Sequence, residues 1–292
     1  MRFLSCVSEF AVSQRFEGIV YAYETSRENL EPDRAPVSPF TTAILLPMSE
    51  HADIKNPKHP IPFTFYEGGC KSLHFSIDQL QSRMRVGQPD QLDVDYTKTM
   101  MGFRVLNPRP RHIVMIGLGG GSLAKFCYRN LPEARITVVE INPHVIALRK
   151  EFLVPDDDER FKVIEADGAD FVRDAECDVD VLLVDGFDHR GQSPQLGSQD
   201  FYNGCRRVLT DHGVTVVNLH ENHPLYEHFI DRIGRSFDKN FVEVVANREG
   251  NVITFAGKGC AISAVDLHES IELARATFGD SNPLQTVSFS EA

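Results

Sequence analysis

The chain has 292 residues, 42% apolar and 25% charged, which excludes a disordered chain and suffices for a packed core in one large domain or two unequal ones. A formal charge of −12 argues against nucleic acid as a partner, since proteins that grip phosphate backbones concentrate Lys and Arg. No run approaches the roughly 18 apolar residues of a membrane-spanning helix, and Glu9 and Arg15 interrupt the weak apolar N-terminal segment, so no signal peptide and no membrane partner are expected and a cytoplasmic location follows.

Up to about residue 110 the sequence is irregular. Stretches rich in turn-forming residues, from Glu31 to Pro39 and from Asn56 to Pro62, read as loops. The alternating runs Thr41–Leu46 and Leu73–Ile77 read as strands of a small β-rich N-terminal domain, assigned to residues 1–95 with 1–60 poorly defined. Within Asp93–Leu106, Tyr96, Met100, Phe103 and Leu106 fall at helical spacing and lead into the main domain, residues 96–292.

From there the pattern is regular. His112–Ile116, Arg135–Glu140, Phe161–Glu165 and Val179–Val184 are apolar strand candidates, each separated from the next by a helix-length segment, an alternation that implies a parallel sheet. Leu123, Phe126, Cys127 and Leu131 mark one intervening helix. Asn142-Pro143, an N-cap followed by proline at the first helical position, marks another. Gly213–Leu219 is a fifth strand. Phe241–Ala246 and Asn251–Ala256 are joined by a connection too short for a crossover helix, so they pair antiparallel. The fold class expected is α/β: a doubly wound, Rossmann-like sheet with an antiparallel terminal hairpin, the layout of class I S-adenosylmethionine-dependent methyltransferase-like enzymes.

The run Gly117-Leu118-Gly119-Gly120-Gly121-Ser122 follows a strand and opens a helix, where glycines let a ligand approach the backbone and the helix N-terminus. A tight turn without a ligand is the plain alternative. Glu140, ending the second strand, can accept from two ribose hydroxyls or serve as an ordinary strand-end carboxylate. Dinucleotide enzymes share both features. Ser122, however, stands where G-x-G-x-x-G needs its third glycine, whereas Gly117, Gly119 and Gly121 fit the G-x-G-x-G spacing of S-adenosyl sites. Asp167-Gly168 follows the third strand, the position that in class I S-adenosyl sites points at the adenine amine, which separates the two readings further.

With Asp185-Gly186-Phe187-Asp188 ending the fourth strand, the ordered set over residues 73 to 220 resembles the spermidine/spermine synthase family of aminopropyltransferases. The glycine loop, Val138 to Pro143, Ala166-Asp167-Gly168 and the segment from Leu196 to Phe201 carry the resemblance. It implies that Asp185 is the general base that deprotonates an acceptor amine and that Asp188 holds the acceptor's cationic end. Gln81 and Tyr96 match family residues of the acceptor pocket, though a structural role suits each equally. It further implies decarboxylated S-adenosylmethionine as the donor and a homodimer. The chemistry is consistent: an ammonium is no nucleophile, so a carboxylate must bind it and remove a proton.

The departures are specific. The family's glycine loop carries an Asp, for the donor's aminopropyl ammonium, where this chain has Gly120, and the family's Tyr-His-Glu appears as Tyr96-Thr97-Lys98. Glycine at 120 is expected to leave space and to impose no charge penalty on intact S-adenosylmethionine. Lys98 is expected to place a positive charge near the acceptor, unfavourable for a diamine. Gln192 replaces a family proline beyond the acidic loop. A methyltransferase on the same scaffold and a non-catalytic nucleoside-binding regulator therefore stand as alternatives.

His220, His223 and His228 cluster with Glu221 and Glu227 but lack the H-E-x-x-H spacing that aims two imidazoles at one zinc ion. His220 instead borders the acceptor pocket in this reading. Arg83 and Arg85 read as exposed residues of a strand face. The six cysteines have no CxxC pair and read as reduced thiols.

Overall fold

The computed structural model describes residues 59–76, 79–176, 178–188, 191–246, 250–259, 261–263 and 267. The expected strand Thr41–Leu46 and the loop at Glu31–Pro39 lie outside them. The first described elements are three strands, β1 (Phe63–Glu67), β2 (Cys70–Ser76) and β3 (Gln79–Arg85), forming an antiparallel meander. The predicted run at Leu73 falls in β2, which starts earlier, at Cys70.

The helical segment leading out of this sheet is two short helices, α1 (Asp95–Met100) and α2 (Phe103–Leu106), rather than one. They part at Gly102, where a Cβ would come within 3.0 Å of the Phe255 ring. Asp93 precedes the helix; its carboxylate, 2% exposed, is paired with the more open guanidinium groups of Arg83 and Arg85.

The main sheet follows the expected alternation: β4 (His112–Ile116), α3 (Ser122–Asn130), β5 (Arg135–Glu140), α4 (Pro143–Ala147), β6 (Phe161–Glu165), α5 (Gly168–Asp174) and β7 (Val179–Val184). A small ribbon, β8 (Phe187–Asp188) with β9 (Gly191–Gln192), and a 3-10 turn at Pro194–Gly197 precede α6 (Gln199–Val208). The chain then forms β10 (Leu209–His220), α7 (Tyr226–Ser236), β11 (Phe241–Val245) and β12 (Asn251–Gly257). β10 begins ahead of the predicted Gly213 because Leu209 already pairs with Val179 of β7, before a register shift that ends at Val214.

The spatial order is β11-β12-β10-β7-β4-β5-β6. β6, β5, β4, β7 and β10 run parallel, and β12 lies antiparallel to both β10 and β11. The doubly wound sheet with its antiparallel hairpin is thus as expected. β4 and β7 are buried throughout, so alternate residues face two separate cores. Ile113 and Met115 join Phe126, Cys127 and Phe255 on one face; Val114 and Ile116 join Tyr202, Phe229 and Ile233 on the other. Each fully buried aliphatic side chain contributes about 1.5–3 kcal/mol. Leu73 and Met84 of the three-stranded sheet pack into the first core, which brings that sheet over the strand ends.

Local signals explain the helix starts. Asn142 Oδ1 accepts from His144 N at 3.0 Å, Asp167 Oδ1 from Ala169 N at 2.7 Å and Ser198 Oγ from Phe201 N at 3.1 Å, each satisfying a backbone donor that the helix leaves unpaired.

Candidate active site

The strand order reverses at β4, with β5 on one side and β7 on the other, and ligands of open α/β sheets collect beyond the carboxyl ends at such a point. A cavity of about 950 Å3 lies there. Its wall includes the glycine loop after β4, Glu140 from β5, Asp167 from the start of α5, Asp185 after β7, Asn218 and His220 from β10, and Leu73, Phe75 and Gln81 from the three-stranded sheet. The volume falls within the range of small-molecule sites.

The loop is drawn tightly against the next strand end. Gly117 N donates to Val139 O at 2.8 Å and Asp185 N to Ile116 O at 2.9 Å. Gly117 has φ +98°, and a Cβ there would sit 2.3 Å from the Asp185 carbonyl oxygen, so only glycine allows this approach. Gly119 lines the cavity with Gly117; Gly121 is set back as the N-cap of α3, against Val154.

Glu140 is 8% exposed. Its Oε2 accepts from Leu118 N and its Oε1 from Asn142 N, both at 2.8 Å, so the carboxylate anchors the glycine loop while facing the cavity. Burial raises its pKa above the usual carboxylate range, opposed by backbone N–H groups of Leu118, Asn142, Ile141 and Gly119. Each carboxylate oxygen can accept more than one hydrogen bond, so capacity for ribose hydroxyls remains. Ala166 N donates to Glu140 O at 3.1 Å, which sets Asp167 on the strand end beside Glu140. Gly168 opens α5 there; a Cβ on it would meet Ile116 Cγ2 at 2.3 Å.

Asp185 is gripped from two sides. Tyr96 Oη donates to Oδ2 at 3.0 Å, and Asn218 Nδ2 donates to Oδ1 at 2.9 Å. Burial pushes its carboxyl pKa up, and these two donors pull it back. Burial and the adjacent carboxylate hold the Tyr96 phenol well above its usual pKa, so it stays a donor at neutral pH. Gln81, half-buried on β3, and Tyr96 therefore reach the same cavity as Asp185. Asp188 lies in β8, paired with Gly191, and its side chain is outside the described residues.

Two expectations are corrected. Gly120 does not leave open room: a Cβ would lie 2.6 Å from Ser82 Oγ and 2.9 Å from Phe152 Cδ1, because β3 and the segment after α4 close over it. Lys98 does not charge the cavity wall. Its ammonium pairs with Asp95 Oδ1 at 3.0 Å along α1, and it is absent from the lining, whereas Thr97 is part of it. His220 and His223 both border the cavity, and among the described residues no group of three or more His, Cys, Asp or Glu side chains could hold a metal ion.

Sequence reasoning missed Asn218, Asn251 and Ser82. Asn218 carried a usable signal, as a polar residue inside the apolar run Val214–Leu219 of a buried strand, where an amide needs partners. Asn251 and Ser82 carried none, since their roles depend on neighbours distant in sequence.

The architecture defines a fold class: an α/β protein with the class I S-adenosylmethionine-dependent methyltransferase-like sheet and a cavity at the reversal of its strand order. Solved structures agree on the fold. Human methyltransferase-like protein 13 in complex with SAH matches 66% of this chain and 96% of its own at TM-score 0.55 and 24% identity. A spermidine synthase in complex with the transition-state analogue AdoDATO matches 70% and 72% at TM-score 0.55 and 21% identity. In sequence, the Spermine/spermidine synthase domain matches residues 94–272, and the polyamine aminopropyltransferase of Chromobacterium violaceum is 40% identical over 65% of this chain and 73% of its own. The chain belongs to the spermine/spermidine synthase family.

Proposed function

We propose that the chain is an aminopropyltransferase that moves the 3-aminopropyl group of decarboxylated S-adenosylmethionine to a small amine. The observation that carries this is Asp185, held by Tyr96 and Asn218 in the cavity wall that Glu140 and Asp167 share. Glu140 takes the ribose hydroxyls, Asp167 and Gly168 the adenine edge, and Gly117, Gly119 and Gly121 shape the loop beneath the nucleoside.

The acceptor arrives as an ammonium and gives a proton to Asp185, leaving a lone pair on nitrogen. That lone pair attacks the carbon attached to the sulfonium; the sulfur–carbon bond breaks with its electrons passing to sulfur. Methylthioadenosine departs as a neutral thioether and the new secondary amine retains a proton. The sulfonium is already a good leaving group, so alignment in the cavity supplies much of the acceleration. Asp188 is assigned to the acceptor's far cationic end, and Gln81 and Tyr96 to the acceptor pocket.

The donor is the finer point. Residue 120 is glycine, so no carboxylate there repels intact S-adenosylmethionine, which favours a methyltransferase as the second reading, whereas Ser82 Oγ and Phe152 Cδ1 fill the space a side chain at 120 would take. Mass spectrometry of products with each donor and a panel of amines separates them. Addition of an aminopropyl unit, with release of methylthioadenosine and a fall of about 10²–10⁴ in rate for Asp185→Asn, is expected; a methylated amine with no aminopropyl product overturns the reading. We also assign the chain to the cytoplasm as a homodimer on the strength of its family; a single-chain mass by light scattering contradicts the dimer.

A further inference from the structure

Asn218 is a buried amide, 3% exposed, whose orientation decides whether it helps or opposes Asp185. Its nitrogen attracts a carboxylate and its oxygen repels one, yet the two ends have nearly the same shape. The nitrogen faces Asp185 Oδ1 at 2.9 Å. On the other side, Asn251 Nδ2 donates to Asn218 Oδ1 at 3.0 Å. A donor placed there accepts only one orientation of the amide. The arrangement follows from the sheet: in the antiparallel register His220 opposes Asn251 and Asn218 opposes Ile253, so Asn218 and Asn251 are diagonal neighbours on one face.

We propose that Asn251 is a positioning residue, which through Asn218 fixes the Asp185 carboxylate for proton transfer from the acceptor amine. The inference rests on Asp185 being the base, as argued above. The chain of contacts is continuous and directional: Asn251 donates to Asn218, Asn218 donates to Asp185, and Tyr96 donates to the other Asp185 oxygen. With both oxygens held, the carboxylate plane is set by β10, β12 and α1 rather than by the ligand.

The consequence for pH has a definite sign. The titratable groups that share the cavity wall with Asp185 are His59, Tyr96 from α1, Glu140 from β5, Asp167 at the start of α5, His220 from β10 and His223 beyond it. The Asn218 donor pulls the buried Asp185 carboxyl down. Once Asn251 no longer pins the amide, that pull weakens and Asp185 retains its proton to higher pH. The acidic limb of the pH–rate profile therefore moves up.

Asn251 also borders the cavity, and a direct contact with the acceptor predicts something else. The test compares Asn251→Ala and Asn251→Asp in the chain of residues 1–292. Asp is close in shape but, when ionised, cannot donate and turns the Asn218 oxygen toward Asp185. The expected result is a loss of about tenfold in kcat for Ala and more for Asp, with KM for the amine little changed and the acidic limb displaced upward in both. A rise in KM for Ala, a fall in KM for Asp, or an unmoved limb overturns the proposal in favour of a substrate contact or a filler.

A second readout needs no turnover. Carbon NMR of protein labelled at the aspartate carboxyls, with Asp185 assigned by its loss in Asp185→Asn, follows the titration directly. An upward displacement of the Asp185 midpoint in Asn251→Ala supports the relay and an unchanged midpoint sinks it. Should Asp185→Asn keep full activity, the base assignment fails by itself, and the titration still decides whether Asn251 acts on Asp185.

Discussion

At the scale of single residues, the site is controlled by how closely two strand ends approach. Gly117 and Gly119 both have positive φ, but their surroundings differ: a Cβ on Gly117 would strike the Asp185 backbone at 2.3 Å, whereas on Gly119 the nearest atom is Ser82 Cβ at 3.7 Å. Gly119→Ala should then cost only the backbone strain, about 1–2 kcal/mol. Gly117→Ala should cost more and also displace Asp185, so urea melts and turnover together should rank it clearly the worse; equal losses at the two positions would contradict the tight approach. The placement of Glu140, Asp167 and Asp185 was legible in the sequence because a strand end followed by a loop fixes where they lie. Ser82 over Gly120 was not. It comes from β3, far away in the chain, and spacing within one loop says nothing about what packs on it.

At the scale of elements, the parallel strands announced themselves as unbroken apolar runs, and α3 and α4 by period or cap. The break between α1 and α2 did not, because Gly102 yields to the Phe255 ring of β12, a tertiary contact. Helix α3 conceals another such effect. Lys125, which helical spacing alone does not mark as core, is 1% exposed, with its ammonium donating to Phe152 O at 2.7 Å and lying 3.0 Å from Met84 Sδ of β3. Burial pulls its pKa down from 10.5 to about 8. Below pH 8 both folded and unfolded chains carry the proton and the desolvation cost is felt in full. Between about 8 and 10.5 the unfolded chain binds more protons at this site, so the folded state gains stability as pH rises. Denaturant melts of the wild type and Lys125→Met should show the wild type improving relative to the variant across that window; a pH-independent difference would mean the ammonium is not desolvated by α3 and β3.

At the scale of the whole molecule, the order β11-β12-β10-β7-β4-β5-β6, with the three-stranded sheet over its strand ends, gathers residues from His59 to Asn251 around one cavity. The alternation of strands and helices foretold the sheet and its antiparallel hairpin. What could not be read was how the three-stranded sheet sits over the strand ends, since that placement rests on Leu73 and Met84 entering the main core and on Asn142 Nδ2 donating to Pro60 O at 2.8 Å. These contacts join distant segments and leave no periodic trace. The proposed transfer requires the nucleoside and the amine to meet in this cavity. A crystal structure of the chain soaked with methylthioadenosine and a diamine tests that most directly. Ribose hydroxyls on Glu140 and an amine nitrogen about 3 Å from the Asp185 carboxylate are expected; a nucleoside bound away from Glu140, or an amine that leaves Asp185 untouched, would contradict a shared site.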